Sequence, residues 1–387
     1  MRVSGRIPAH GELNALTRLV QRLRHAGITI LDLSESNPTQ VGLPYRIDLL
    51  QSMAAPAALT YQPHPLGLRS AREAVSGEFA RRGANIDPDH LVLSASTSEA
   101  YSWLFKLLCD PGDVVLIPQP SYPLFEFLTR LEGVVPEAYQ LTYHGRWEVD
   151  LDSLEQAPAG TKAVLAVSPN NPTGSFLSPR DVAGLIDVCH RRQWALIVDE
   201  VFADYPMDVD GPVTDLAARA DVLTFTLGGA SKSIGMPQVK LAWTLVGGPA
   251  AARDEALAAM EVVADTFLSV SSPVQVAAPA LLRDGAIIRA CIHQRIRDNL
   301  VVARRLVADY PVCDLLPVEG GWSVIVRVPA SRREEAIVLD LLEREHVLVH
   351  PGFFFDMPHE AFLVVSLLPD PETFAAGLAR LLRSANS

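Results

Sequence analysis

Three apolar segments in the middle of this 387-residue chain each run into a different chemical group. The first ends in Ser168-Pro169-Asn170-Asn171-Pro172-Thr173-Gly174. The second, Ala195-Leu196-Ile197-Val198, runs into Asp199-Glu200, and the third, 222–227, opens into Gly228-Gly229-Ala230-Ser231-Lys232. Short apolar runs that alternate with helical patterns, such as residues 179–192, read as buried strands of a mainly parallel sheet. A chain of this kind is confined to an α/β architecture with helices on both faces. Ligands bind such sheets at the carboxyl ends of the strands. An amide, a carboxylate and an amine are therefore expected along one edge.

The flanking sequence has a different texture. Residues 13–24 carry apolar positions at helical spacing, 28–33 read as a short strand, and 36–44 as a loop. A strand stub at 91–93 leads to Ser96-Thr97-Ser98-Glu99, a capping-box pattern ahead of a helix over 100–108. Residues 254–307 read as largely helical with a break at 269–273. Beyond Tyr310 come strands at 322–328, 347–350 and 362–367, with helices at 334–345 and 371–382. The length exceeds one compact core. The expected organisation is a large α/β domain over 46–290 and a smaller α+β domain formed by 1–45 and 291–387.

The formal net charge of -12 argues against nucleic acid and membrane surfaces as partners, since both select clustered positive charge. No apolar run reaches the length of a membrane span, and the polar start, broken by Pro8, is unlike a secretory signal. Cys109, Cys189, Cys291 and Cys313 are scattered without metal-ligand spacing. They read as free thiols in a reducing compartment, which implies a cytoplasmic protein with no metal site.

Each candidate side chain has a plain reading beside a chemical one. Ser96, Thr97 and Ser98 lie between strand and helix, where backbone N–H groups favour an anion such as phosphate; the plain reading is an N-cap. Asp199 at a strand end suits a pyridinium partner, or is a solvated carboxylate. Asn171 suits a phenolate oxygen, or is a turn residue. Tyr122 could stack on an aromatic ring or pack as a loop aromatic. Lys232 follows small residues that let backbone approach a ligand; a nucleophilic lysine needs its pKa depressed. Lys240 could supply a point charge to phosphate, or be a surface lysine. An amine that forms a Schiff base, with a carboxylate for a ring nitrogen, is the equipment of pyridoxal phosphate chemistry.

Together these residues resemble the class I and II aminotransferases of pyridoxal phosphate fold type I, over about residues 32–382. The Ser-Pro-Asn-Asn-Pro-Thr-Gly run, then Asp-Glu-Val, then Ser-Lys, carry the resemblance, with Asn171, Asp199 and Lys232 spaced 28 and 33 residues apart. The resemblance implies an amino donor, a keto-acid acceptor and Lys232 as Schiff-base lysine and proton shuttle. It implies Asp199 at the pyridine nitrogen, Asn171 at the phenolate oxygen and Tyr122 stacked on the ring. Thr97, Ser98, Ser96 and Ser231 would serve the phosphate. Tyr61, ahead of Gly67 and Arg72, would reach that phosphate across a homodimer with shared active sites. Asn37 lies in the loop that lines the family's substrate pocket, and with Asn171 and Tyr122 it is an expected substrate contact.

Four positions depart from the family pattern. Phe202 stands where a tyrosine usually donates to the phenolate oxygen, Lys240 where an arginine binds phosphate, and Gly229 where a serine is frequent. Val364, in Phe362-Leu363-Val364-Val365-Ser366, occupies the place of the arginine that grips the substrate's α-carboxylate. Arg327 is one conceivable substitute. These departures leave two alternatives to transamination: a lyase or decarboxylase on the same scaffold, or a non-catalytic sensor that binds the cofactor.

Overall fold

The computed structural model describes residues 3–7, 13–207, 221–359 and 361–386. An eight-stranded sheet forms its centre, in the order Leu91–Ser94, Ala242–Gly247, Thr224–Gly229, Ala195–Asp199, Thr161–Val167, Val114–Gln119, Val135–Tyr143, Trp147–Val149. From Thr224–Gly229 to Val135–Tyr143 every pairing is parallel; Ala242–Gly247 and Trp147–Val149 join antiparallel. Every residue of Ala195–Asp199 is buried, as expected for a strand covered on both faces.

The register aligns the chemistry. Val167 lies opposite Asp199, and Asp199 opposite Leu227. The segments carrying Asn171, Asp199 and Lys232 therefore leave the sheet at one level of one edge. The helix Pro179–Arg192 follows the first of these strands, started by a full capping box between Ser178 and Asp181.

Beside this sheet lies a four-stranded antiparallel one, in the order Asp314–Leu315, Ser323–Arg327, Phe362–Ser366, His350–Pro351. The 36-residue helix Ser272–Val307 and the helix Pro371–Ala385 pack into the same apolar core as the buried Trp322, Val324, Leu363 and Val365. Near the N-terminus Leu31–Asp32 pairs in parallel with Val347–Leu348.

Several expectations are corrected. The third strand spans Thr224–Gly229 rather than 222–227, so Gly228 and Gly229 sit inside the sheet. They allow close approach of a neighbouring strand, not of a ligand. A Cβ on Gly228 would fall 2.3 Å from Trp243 Nε1, and one on Gly229 3.3 Å from Ala242 Cβ. The capping box at Ser96 is half formed. Ser96 Oγ accepts from Glu99 N at 3.1 Å, but the Glu99 carboxylate accepts from Ala95 N and from Ser269 Oγ in the distant helix break. The helix begins at Thr97. The expected 334–345 helix turns into a π-helical turn at Leu341–Glu345, and the 347–350 strand splits between two partners.

Candidate active site

Lys232 lies in the short helix Ala230–Ser233 that follows the third strand. Its backbone carbonyl accepts a hydrogen bond from the buried Tyr205 hydroxyl at 2.5 Å. Its Nζ stands 4.8 Å from the centroid of Trp322 and 5.4 Å from that of Phe202. Burial among these groups pulls the amine down from 10.5 to about 8, against the opposing attraction of Asp199. A depressed lysine of this kind is the usual condition for nucleophilic use.

Asp199 is buried and fully engaged on its protein side. Its Oδ1 accepts from Val201 N at 3.0 Å and its Oδ2 from the Tyr101 hydroxyl at 2.8 Å. Burial raises the carboxyl's pKa, while the Val201 and Tyr101 hydrogen bonds and the Lys232 charge pull it back. Tyr101 is itself buried, and desolvation together with Asp199 pushes its hydroxyl far above the usual range. It is a residue the sequence reading missed. It falls four residues after Thr97, one helical turn along the same face.

Asn171 is presented by its neighbour. Asn170 donates through Nδ2 to Pro120 O and to Thr173 Oγ1, each at 3.0 Å, and accepts from Ser121 Oγ at 2.7 Å. That network ties the 168–174 turn to the loop that carries Tyr122, leaving the Asn171 amide free.

Lys232, Asp199, Asn171, Tyr122, Thr97, Ser98 and Ser231 line one cavity of about 200 Å³. Tyr122 is partly exposed and stands edge-on to Phe125, with centroids 6.1 Å apart. The cavity also takes in Ser36, Trp322, Ser323 and the Leu124, Phe125 and Leu128 side of a helix over Leu124–Leu131, none of which the sequence reading named for the site.

Four expected residues stand outside this lining. Ser96 is the helix N-cap. Lys240 is exposed, in a left-handed conformation with φ 55° after the turn Pro237–Val239. Asn37 caps its own turn by accepting from Thr39 N and Thr39 Oγ1, and its neighbour Ser36 faces the cavity instead. Tyr61 is exposed, and Arg72 is spent on Gly67 O, Pro88 O and Asp89. Arg327 pairs with Asp314 on the exposed strand edge, so it is not a substitute for the missing arginine.

Residues 29–381 match the family described as aminotransferase class I and II. The chain belongs to that family. An alanine aminotransferase of Mycobacterium tuberculosis (strain ATCC 25618 / H37Rv) is 28% identical to it over 379 residues, with 93% of this chain and 86% of the relative covered. The glutamate-pyruvate aminotransferase AlaA of Escherichia coli K12 is 24% identical over 376 residues, covering 94% and 92%. A solved alanine aminotransferase from Pyrococcus furiosus matches with a TM-score of 0.88 at 22% identity, over 99% of both chains. The fold is that of pyridoxal phosphate fold type I, and the protein is an aminotransferase dependent on that cofactor.

The residues present fit the cofactor. Thr97, Ser98, Ser231, Asn171 and Tyr122 line the cavity, and none of their side chains makes a hydrogen bond with another described residue. The polar groups just behind them, Ser94, Ser96, Ser121, Asn170 and Thr173, are all paired. Polar groups left without protein partners around a buried amine and a buried carboxylate are what a polar ligand requires.

Proposed function

We propose that the amino-group transfer runs on Lys232, Asp199 and Asn171, with Thr97, Ser98 and Ser231 holding the phosphate. One observation carries this reading: the Lys232 amine, lowered to about 8 by burial, shares a cavity with Asp199 and an unpaired Asn171 amide. When bound, the cofactor supplies an aldehyde that condenses with amines and a charged ring that accepts electrons from a broken C–H bond.

The protein's part follows from its own groups. With a pKa near 8, about a tenth of the Lys232 amine is uncharged at neutral pH. Nζ can thus serve as nucleophile and, when free, would take the proton from the substrate's α-carbon and pass it to the carbon of the cofactor's former aldehyde. Trp322 and Phe202 keep water from that nitrogen. Asp199 retains lone pairs after accepting from Val201 and Tyr101, and these would accept from the ring nitrogen and keep its proton in place. Asn171 would donate to the phenolate oxygen, and Tyr122 would cover the ring. Helix Thr97–Leu108 would offer its N-terminal N–H groups to the phosphate. Ser96 acts there only as the cap, and Lys240 would act on the phosphate only as a charge from outside the lining.

The same reading assigns a large domain over 46–290 and a smaller one from 1–45 and 291–387. It makes the enzyme a cytoplasmic homodimer, with Tyr61 reaching its partner's phosphate site. Ile47, Leu59 and Tyr61 expose apolar surface along one stretch of chain, which supports an interface there. No single helix among the described residues is long and apolar enough to cross a membrane.

Borohydride reduction of the holoenzyme tests the site. The cofactor label is expected on the peptide containing Lys232. A label recovered on another peptide overturns the assignment.

A further inference from the structure

On the reading just proposed, the cofactor occupies every charged group of the cavity lining. Among the described residues that line it, Asp199 and Lys232 are the only ionisable ones of acidic or basic type. What remains for a substrate includes an apolar wall of Leu124, Phe125, Leu128 and Trp322, and the two hydroxyls of Ser36 and Ser323. Neither hydroxyl makes a hydrogen bond with another described residue.

These two serines come from opposite ends of the chain, and Ser366 pins both. Ser366 N donates to Leu33 O at 2.7 Å, and Ser366 Oγ donates to Glu35 O at 2.6 Å, which fixes the segment that presents Ser36. Ser366 also lies opposite Ser323 in the antiparallel ladder, and Leu367 N donates to Trp322 O at 2.7 Å. All five residues of Phe362–Ser366 are buried, and Val364 packs in an apolar cluster with Ile325 and Phe355. The strand in which the family resemblance expects a carboxylate-binding arginine thus delivers a pair of hydroxyls by way of its neighbours.

We infer that Ser36 and Ser323 replace an ionic clamp with a neutral one at the place of the substrate's α-carboxylate. A hydroxyl donates to a carboxylate oxygen and to an amide, ester or alcohol oxygen in the same geometry. A cation would separate the two by its Coulomb attraction, which is large in a partly dry cleft. The site therefore accepts α-amino acids and their uncharged counterparts alike. The apolar wall selects apolar or aromatic side chains. A second carboxylate, as in glutamate, is disfavoured as donor, because burying it against Leu124, Phe125 and Trp322 leaves it unpaired.

The holoenzyme is tested with L-phenylalanine, L-phenylalaninamide and L-glutamate, following the change in cofactor absorbance in single turnovers. The acid and the amide are expected within about tenfold of each other in kcat/KM, the scale of one charge-assisted hydrogen bond, with glutamate slower than both. The double variant Ser36→Ala/Ser323→Ala is expected to raise KM about tenfold for both phenylalanine compounds while kcat holds. The dissociation constant of α-methyl-phenylalanine, which has no α-proton to lose, should rise in parallel. A larger preference for the acid, which would require a cation from a partner subunit, overturns the inference, and so does an unchanged KM in the double variant. Borohydride labelling retained at Lys232 in that variant shows that the rim was altered and the cofactor site was not. Loss of that labelling in the parent protein would instead overturn the site reading, and this inference with it.

Discussion

Asn171, Asp199 and Lys232 stand at the ends of three neighbouring strands, within 62 residues of one another. Ser36, Trp322 and Ser323 complete the same cavity from segments separated by most of the chain's length, 287 positions between the two serines (323 − 36). The wall proposed for the cofactor is set by parallel register: once Val167, Asp199 and Leu227 align, Asn171, Asp199 and Lys232 share an edge. The rim proposed for the substrate is set by hydrogen bonds to one strand, through Ser366 and Leu367. Register is a property of buried apolar pattern and resists single changes. The rim depends on a few specific bonds. Changes to the wall should therefore appear in cofactor chemistry, and changes to the rim in substrate selection.

The largest effect should come from the wall. Lys232→Ala is expected to abolish conversion of the cofactor's absorbance by any amino donor. Persisting conversion at the parent rate would place the nucleophile elsewhere and break the comparison. The same residue sharpens it through stability. Folding lowers the Lys232 pKa from 10.5 to about 8, so between these values the unfolded chain binds the extra proton. Stability of the cofactor-free protein must then rise with pH across that window. Lys232→Met removes the cost of the buried amine and should stabilise the cofactor-free protein at pH 7 by up to about 3 kcal/mol. The advantage should shrink above pH 8 and vanish near 10.5. Urea unfolding as a function of pH measures it, and a pH-independent difference would show that the amine is charged and solvated.

Next in size is Tyr101→Phe. It deletes the hydroxyl that donates to Asp199 Oδ2 at 2.8 Å inside the core. Without that donor the carboxyl, already raised by burial, rises further and holds a ring proton less firmly. Loss of a hydrogen bond to a charged group amounts to about 1.5–3 kcal/mol, so cofactor affinity should fall at least about tenfold. A fluorescence titration of the cofactor-free variant reads this directly. The KM ratio between phenylalanine and its amide should stay where it was, since Tyr101 touches the wall and not the rim.

The same division explains what the sequence disclosed. That Asn171, Asp199 and Lys232 share one edge and one cavity was legible because each ends an apolar run, and the order of runs implies the sheet. Tyr101 was legible in principle, by helical spacing from Thr97, but a tyrosine inside an apolar helix reads first as core. Ser36 was not legible. Asn37 carries the more eye-catching amide, yet that amide closes onto Thr39. Which neighbour faces inward is decided by Ser366, 330 residues away. Trp322 and Ser323 were read as a strand start, and only the pairing with Ser366 turns them toward the cavity. The Gly228-Gly229 pair misled in the other direction. It resembles a ligand-facing loop, but the indole of Trp243 and the backbone of Leu241 and Ala242 demand the missing side chains.

Phe202 sits where wall and rim meet, and it carries the smallest effect. Its ring lies edge-on to Trp322, with centroids 5.3 Å apart, and 5.4 Å from Lys232 Nζ. With no hydroxyl it offers nothing to the cofactor's phenolate oxygen. Phe202→Tyr adds a donor that favours the deprotonated form of the Lys232–cofactor linkage. The pH at which the holoenzyme's visible absorbance titrates should therefore move down, by on the order of one unit. The direction is fixed by the physics: a hydrogen bond to the charged oxygen stabilises the form that has lost its proton. Substrate preference should hardly change, because the ring keeps its place against Trp322. A titration that does not move would mean that the wall's chemistry is set without this position. A shift in the acid-to-amide ratio would mean that wall and rim are not separable at Phe202, and the division would have to be redrawn through Trp322.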